Sequence, residues 1–266
     1  MDKKVAKIYY FTGTGNSLKI AKDVGSKLGE HELIFIPKLM KEKNKIVIEG
    51  DIIGFIFPVY FARPPVFIQE FIEKAEFGNI SYIFTITDGG GLFGKALKIF
   101  EKLLIKKGKK LDAGFVIGMP GNHPKIASMQ RKKPAEHYEQ ETIKVNGIVK
   151  IISDRKTHKI ETNYGLLGSF FSYIAFKKPV EASKAKELDK ELYINENCIS
   201  CGTCERICPV NNIFESKIVP KWQNHCINCL ACYHHCPQKA IQIMGMETEK
   251  LDRYHHPEIA IEELIR

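Results

Sequence analysis

The cysteines constrain this chain more than any other feature, because all eight lie in one segment of 39 residues, from Cys198 to Cys236. The 197 residues that precede this segment contain none. In a secreted scaffold, disulfides are distributed through the fold that they cross-link. The clustering therefore predicts metal ligands rather than disulfides.

The cysteine segment consists of two similar halves, CISCGTCERICP and CINCLACYHHCP, each with the spacing C-x2-C-x2-C-x3-C-P. The first half contains Cys198, Cys201, Cys204 and Cys208, and the second contains Cys226, Cys229, Cys232 and Cys236. Zinc ribbons use two C-x2-C pairs and need neither a third cysteine at the same spacing nor a Cys-Pro step. The spacing therefore favours iron–sulfur clusters over zinc.

At this spacing the first three cysteines of each half bind one [4Fe-4S] cluster, and the fourth, before proline, binds the other cluster. We therefore expect cluster I at Cys198, Cys201, Cys204 and Cys236, and cluster II at Cys226, Cys229, Cys232 and Cys208. The segment resembles the bacterial two-cluster ferredoxins over about 50 residues. That resemblance implies a small α+β domain.

The first 156 residues alternate between strand-like and helix-like patterns. The strand-like runs are 5–11, 32–37, 51–61, 80–87 and 113–120, and the helical patterns cover 15–29, 65–75, 92–107 and 135–155. Strands that are apolar on both faces and separated by helices are typical of a parallel sheet covered on both sides. The sequence predicts a doubly wound α/β domain with five parallel strands.

The turn after the first strand, FTGTGNSL at 11–18, opens a helix. A Rossmann fingerprint would need glycine at Leu18, and a P-loop would need Gly-Lys-Ser/Thr. The free N–H groups and positive dipole of a helix N-terminus suit a phosphate dianion. The candidate phosphate-binding residues are Thr12, Gly13, Thr14, Gly15, Asn16 and Ser17. A glycine-rich turn that only caps the helix remains the alternative.

The sequence T-x-T-G-N-S resembles the phosphate loop of the flavodoxins, which bind flavin mononucleotide (FMN). The resemblance implies the strand order 2-1-3-4-5 with FMN at the switch point. It also implies that loops after the third and fourth strands hold the isoalloxazine. Here these loops contribute Pro58, Val59, Tyr60, Phe61, Thr87, Asp88, Gly89, Gly90 and Gly91. Tyr60 or Phe61 could stack on the ring, or could belong to the core.

Two polar residues after the fifth strand, Asn122 and His123, lie on the same edge of the predicted sheet. They could reach the flavin or a small substrate, or could belong to a plain loop. His234, His235, His255 and His256 form two pairs, which we interpret as packed or solvated rather than as a third metal site.

The predicted organisation is a flavodoxin-like domain at 1–156, a connector at 157–190 that we expect to be helical, a ferredoxin domain at 191–245 and a tail at 246–266. No run approaches the ~20 apolar residues of a transmembrane helix, and the N-terminus lacks a secretory pattern. We therefore expect a cytoplasmic protein.

The formal charge of +9 by itself suggests an anionic partner. Two oxidised clusters with their thiolates and a flavin phosphate would each contribute about −2, which leaves about +3. We therefore predict no nucleic-acid partner.

The whole chain resembles the flavodoxin–ferredoxin fusion proteins of anaerobic bacteria and archaea. That resemblance implies an electron-transfer protein or oxidoreductase with two [4Fe-4S] clusters and FMN, which works with a redox partner protein. One alternative is an FMN-dependent reductase of a small-molecule acceptor, such as a quinone or an activated alkene. Another is a ferredoxin tethered to a flavin-free recognition domain.

Overall fold

The computed structural model describes residues 5–91, 93–124, 133–162, 188–215 and 217–265. Contacts divide the chain into two compact units. The sheet unit comprises Met1–Thr12, Ser17–Met119 and Lys133–Pro179, and the cysteine unit comprises Gly13–Asn16, Pro120–Lys132 and Val180–Arg266. Most of the connector expected to be helical, residues 163–187, lies outside the described residues.

The sheet unit contains a five-stranded parallel sheet with the order β2-β1-β3-β4-β5. Its strands are β1 Ala6–Tyr10, β2 His31–Phe35, β3 Val47–Pro58, β4 Glu76–Gly89 and β5 Ala113–Gly118. The predicted doubly wound fold is confirmed by this order. Because the chain leaves β1 on one side and returns as β3 on the other, the carboxyl ends of these two strands form the switch point.

Helices connect the strands of this sheet, and a further helix follows its last strand. They are α1 Asn16–Leu28, α2 Ile36–Glu42, α3 Val66–Lys74, α4 Ala96–Lys106 and α5 Pro134–Ser153. The predicted strand at 32–37 is wrong at its end, because β2 stops at Phe35 and α2 begins at Ile36. Pro37 lies in the first turn of α2, where a helix tolerates the missing N–H. Among the described helices, none is long and apolar enough to cross a bilayer.

Aromatic side chains of β3 join the sheet to α4. The Phe100 ring lies 5.2 Å from that of Phe55 and 4.9 Å from that of Phe57, measured between centroids. All three side chains are buried. The buried apolar packing fixes the strands, and hence the loops at their carboxyl ends.

The cysteine unit has an α+β core built on an internal repeat. β6 Leu192–Ile194 pairs antiparallel with β9 Ile241–Ile243, and β7 Ile213–Phe214 pairs antiparallel with β8 Lys221–Trp222. Two short helices, α6 Thr203–Ile207 and α7 Ala231–His234, start at positions 28 residues apart, as do the two sets of cysteines.

The repeat extends to backbone conformation. Residues with left-handed φ angles occur in pairs that are also 28 positions apart: Ser200 and Asn228, Gly202 and Leu230, Asn211 and Lys239. Left-handed φ is costly for residues other than glycine and persists where the surrounding structure requires it. The two halves therefore share a backbone path as well as a cysteine spacing.

Candidate functional site

The eight cysteines line two cavities of the cysteine unit. The first is lined by Cys198, Cys201, Cys204 and Cys236, and the second by Cys208, Cys226, Cys229 and Cys232. Each cavity thus receives three cysteines from one half of the motif and the fourth from the other half. The structure brings together the same two sets of four that the spacing predicts. Cysteines arranged around a cavity fit a multi-iron cluster, whose ligands surround a volume rather than one ion.

Backbone amides point at the two cysteines that cross between the halves. The N–H of Asn212 donates to Cys208 Sγ over 3.2 Å, and the N–H of Ala240 donates to Cys236 Sγ, also over 3.2 Å. Asn212 and Ala240 occupy equivalent positions in the repeat. Hydrogen bonds to sulfur stabilise the thiolate and help to set the potential of an iron–sulfur cluster. None of the eight cysteines forms a disulfide.

Burial disfavours the thiolate form of four of these cysteines. It raises the pKa of Cys204 to about 11 and that of Cys226 to about 12. Burial, followed by the nearby cysteines, raises the pKa of Cys229 and Cys232 well above the usual range. The thiolates that iron requires are therefore unfavourable without a positive ion among them, so this donor set fits a cationic group.

Comparison with known families identifies the cysteine segment. Residues 197–241 match the family described as the 4Fe-4S dicluster domain, and the matched region contains all eight cysteines. This segment is a 4Fe-4S dicluster domain. The chain thus joins a flavodoxin-like fold to a dicluster domain. A search of curated proteins found no match.

Solved structures similar to part of this chain include an FMN-dependent enzyme and flavodoxins. An FMN-dependent NADH-azoreductase from Bacillus anthracis in complex with FMN is 8% identical, with a TM-score of 0.40, 57% of this chain covered and 100% of that one. A NAD(P)H:quinone oxidoreductase from Methanothermobacter marburgensis is 12% identical, with a TM-score of 0.40 and coverage of 59% and 98%. A flavodoxin from the domain Archaea is 12% identical, with a TM-score of 0.33 and coverage of 55% and 99%. The strand order, rather than these similarities, establishes the fold.

The predicted phosphate loop lies between β1 and the 13-residue helix α1. Gly15 has a φ angle of +97°, a conformation that favours glycine. The side chains of Thr12, Thr14, Asn16 and Ser17 are all buried. The loop therefore places backbone amides and hydroxyl groups at a helix N-terminus, as phosphate binding requires.

Within the sheet unit, Ser17 Oγ donates a hydrogen bond to Asp88 Oδ2. Asp88 is fully buried, and burial raises the pKa of its carboxyl group to about 7, against the opposing hydrogen bonds from Ser17 and from its own backbone. The predicted phosphate loop and the predicted flavin loop after β4 thus share a carboxyl group that titrates near neutral pH. A protonated Asp88 leaves the helix N-terminus free of a competing negative charge.

The predicted flavin loop after β3 places its two aromatic residues differently. The Tyr60 ring packs edge-on against Phe11, with centroids 6.3 Å apart, whereas the Phe61 side chain is 46% exposed. Phe61 and Ala62 have left-handed φ angles of 50° and 60°. Strain of this kind clusters at binding sites. Of the two aromatic candidates, Phe61 is the one available to a stacking partner.

The predicted flavin loop after β4 is bonded to its neighbouring strands. Thr87 Oγ1 donates to the carbonyl of Phe57 over 2.9 Å, and the N–H of Met119 donates to the carbonyl of Gly89 over 2.9 Å. Gly91 has a φ angle of +101° and open space around it. The Thr87 hydroxyl therefore has a partner in the sheet, while Gly91 leaves the backbone beyond it open to approach.

Asn122 is bonded within the cysteine unit. Its Nδ2 donates to the backbone carbonyl of Cys229 over 3.2 Å, and the backbone carbonyl of Asn122 accepts a 2.6 Å hydrogen bond from His234 Nε2. His234 Nδ1 in turn accepts the N–H of Tyr254 over 3.0 Å. Both ring nitrogens of His234 are therefore used, which agrees with its interpretation as a packed residue.

Sequence reasoning missed the contacts that the tail and Cys229 make with residues 13–16 of the cysteine unit. Tyr254 Oη donates to Asn16 Oδ1 over 2.6 Å, and the N–H of His256 donates to the carbonyl of Thr14 over 2.8 Å. A methyl group at Gly13 would overlap the carbonyl oxygen of Cys229. Local sequence patterns cannot predict contacts between residues more than 200 positions apart. Gly13 is thus required by packing as well as being suited to phosphate approach.

Proposed function

We propose that this chain is an electron-transfer protein in which two [4Fe-4S] clusters and FMN exchange electrons. The observation that carries the proposal is the pair of cavities, each lined by four cysteines, in a segment that matches the 4Fe-4S dicluster domain. Each cluster would supply one-electron chemistry and FMN one- or two-electron chemistry. The chain would couple single-electron carriers to two-electron reactions.

The chain's own residues would hold the clusters by crossed ligation. Cluster I takes Cys198, Cys201, Cys204 and Cys236, and cluster II takes Cys226, Cys229, Cys232 and Cys208. The amides of Ala240 and Asn212 donate to the two crossing thiolates. Apolar side chains such as Ile213 and Ile241 line the cavities and keep water away from the sulfurs.

The amides and hydroxyls of residues 12–17 would bind the FMN phosphate, and Phe61 would cover one face of the isoalloxazine. Asp88, which is protonated below about pH 7, would donate or accept a proton beside Ser17 without repelling the phosphate. This assignment rests on the glycine conformation and the helix N-terminus, to which a phosphate dianion is attracted.

We place the redox partner protein at cluster I. Cys201 is exposed, whereas Cys229 and Cys232 are buried. Beside the first cavity, the side chains of Ile199 and Ile218 are 61% and 74% exposed. The Ser200 hydroxyl donates a 2.7 Å hydrogen bond to the Ile218 carbonyl, which keeps Ile218 next to this cavity. Exposed aliphatic side chains around a redox centre favour close contact with another protein. We also propose a cytoplasmic location, which eight free cysteines favour.

The small-molecule reductase has less support. Its candidate residue Asn122 uses its side-chain Nδ2 on the Cys229 carbonyl and its backbone carbonyl on His234, so these two groups are not available to orient a substrate. Saturable turnover of a quinone or an activated alkene by the purified protein, without any partner protein, would favour that alternative.

The test is an anaerobic reductive titration of the purified holoprotein, with visible spectra and iron analysis. We expect about eight irons and an uptake of about four electrons per chain, one for each cluster and two for FMN. Uptake of about two electrons without flavin absorption would instead indicate a ferredoxin joined to a flavin-free domain.

Single substitutions test where the clusters and FMN bind. Cys229→Ser should remove rapid reduction of the flavin in stopped-flow experiments. Gly15→Val should release FMN, whereas the matched variant Gly29→Val should retain it. Gly15 and Gly29 have nearly the same left-handed φ, but Gly29 has nothing within 4 Å of the added carbon. Stoichiometric flavin in Gly15→Val would contradict the loop assignment.

A further inference from the structure

Arg253, in the C-terminal tail, lies over an aromatic ring next to a cluster ligand. The carbon of its guanidinium is 3.4 Å from the centroid of the Tyr233 ring, and Tyr233 follows Cys232. Nη2 donates to the carbonyls of Lys239 over 2.9 Å and Ile241 over 2.8 Å. These contacts hold the planar group in one position, since the ring and the two carbonyls approach it from different sides.

The two carbonyls that Arg253 binds flank a residue that contacts sulfur. Ala240 lies between Lys239 and Ile241, and its amide donates to Cys236 Sγ. Ala240 and Ile241 also line the first cavity. The guanidinium is therefore bound to the backbone turn that supplies the hydrogen bond to Cys236.

The charge on Arg253 has no ordinary counterion. Its Nε and Nη1 are buried without a hydrogen-bond partner, and no carboxylate among the described residues forms an ion pair with it. Burial lowers the pKa of the guanidinium, while Tyr233, Cys236 and Cys232 oppose that change. Arginine stays protonated in proteins, so the positive charge remains beside the two cysteines.

We propose that Arg253 raises the reduction potentials of the [4Fe-4S] clusters by holding a partly buried positive charge beside Cys236 and Cys232. Cys236 belongs to the ligand set of cluster I and Cys232 to that of cluster II, so the inference rests on the proposed function. On reduction each cluster gains one electron, and no bond forms or breaks. The reduced state carries one more negative charge, so a nearby cation stabilises it more than the oxidised state. Cluster I should respond more, because Arg253 also binds the turn that contacts Cys236.

The experiment is protein-film voltammetry on the complete holoprotein, in which the electrode supplies the electrons. Arg253→Met removes the charge and keeps an unbranched side chain, and replacing a partly buried ion by an apolar side chain is often tolerated. We expect the equilibrium constant for reduction of cluster I to fall about fivefold, which is about 40 mV for a one-electron couple. Arg253→Lys keeps the charge, so we expect a change of less than about twofold.

The matched control is Arg206→Gln. Arg206 is also close to a ligand of cluster I, because its Nη1 donates to the Cys201 carbonyl over 3.2 Å, but its side chain is exposed. Solvent and salt screen an exposed charge, so we expect less than about a twofold change that disappears at high ionic strength. The effect of Arg253→Met should persist there.

Unchanged reduction potentials in Arg253→Met would overturn the inference. A fall of the cluster I potential in Arg253→Lys equal to that in Arg253→Met would also overturn it, because the effect would then come from support of the backbone and not from charge. If Arg253→Met does not retain iron, Arg253→Gln takes its place, since it removes the charge but keeps an N–H donor for the two carbonyls. Iron analysis and visible spectra of the wild type separate the two hypotheses. A wild-type protein without clusters contradicts the proposed function, whereas a cluster-loaded protein with unchanged potentials in the neutral variant contradicts only the role of Arg253.

Discussion

At the scale of single residues, environment decides the chemistry of groups that the sequence only suggests. Asp88 was predicted from its place in the flavin loop, but its proton affinity comes from complete burial beside Ser17. Gly13 was predicted to let a phosphate approach, and the structure adds the close approach of the Cys229 carbonyl. Residue type could be predicted from the motif, whereas burial and distant partners could not.

Asp88→Asn should change the pH dependence of stability. The unfolded chain ionises Asp88 above its ordinary pKa of 3.8, while the folded chain keeps the proton up to about 7. Stability therefore falls as the pH rises between these values, by up to about 4 kcal/mol. The free energy of unfolding of wild type, relative to Asp88→Asn, should decrease by that amount from pH 4 to pH 7 in urea titrations.

The exposed Asp252→Asn serves as the control, and its stability should run parallel to wild type over the same range. A constant difference between wild type and Asp88→Asn at all pH values would show that the buried carboxyl group does not retain its proton.

Gly13→Ala should destabilise the cysteine unit. The added methyl group would overlap the Cys229 carbonyl oxygen, a backbone atom that cannot turn aside. Overpacking of this kind costs about 1–3 kcal/mol. Differential scanning calorimetry of the holoprotein should show a lower melting temperature, and an unchanged value would mean that the loop moves away from Cys229 at little cost.

At the scale of secondary-structure elements, periodicity predicted the sheet well, and the flavodoxin resemblance supplied its order. Five apolar runs separated by helical patterns became β1 to β5 in the order of a doubly wound sheet. The helix α2 was missed because Ile36 and Pro37 continue the apolar run of β2. A short helix that follows a strand without an intervening polar turn leaves no change of period to detect.

Two glycine substitutions should have opposite effects on elements of the sheet unit. Gly54→Ala places a methyl group against the Phe84 ring in the centre of the sheet and should cost about 1–3 kcal/mol. Gly147→Ala lies within α5 with nothing within 4 Å and should stabilise the protein by about 0.5–1 kcal/mol. Midpoints of urea unfolding measure both changes, and equal shifts of the same sign would contradict the packing around β3.

At the scale of the whole molecule, the sequence predicted consecutive domains, and contacts group the described residues 13–16 and 120–124 with the cysteine unit. The eight cysteines could be assigned to two sets from spacing alone, because the C-x2-C-x2-C-x3-C-P pattern is specific. The grouping of residues 13–16 depends on tail residues such as Tyr254 and His256, whose partners have no local signature.

Iron removal should destabilise the two units unequally. The core of the cysteine unit includes Cys204, Cys208 and Cys232, and its pairs of strands are only two or three residues long. Such a core depends on its metal, while the five-stranded sheet has its own apolar core. After chelation, hydrogen exchange should accelerate over residues 192–243 and at residues 13–16, and remain slow in β3 and β4. Uniform acceleration would show that the sheet unit also depends on iron.

The proposed crossed ligation by Cys208 and Cys236 has a consequence for how the protein is made. As the chain leaves the ribosome, Cys198, Cys201 and Cys204 emerge together, but the last ligand of their set, Cys236, emerges 32 residues after Cys204. The second set already has Cys208 in place when Cys232 emerges, so it is complete four residues earlier. Neither set can be completed within its own half, and a chain truncated between the halves would bind no complete cluster. Under the proposed ligation, iron delivery could complete neither cluster before both halves of the cysteine motif have emerged.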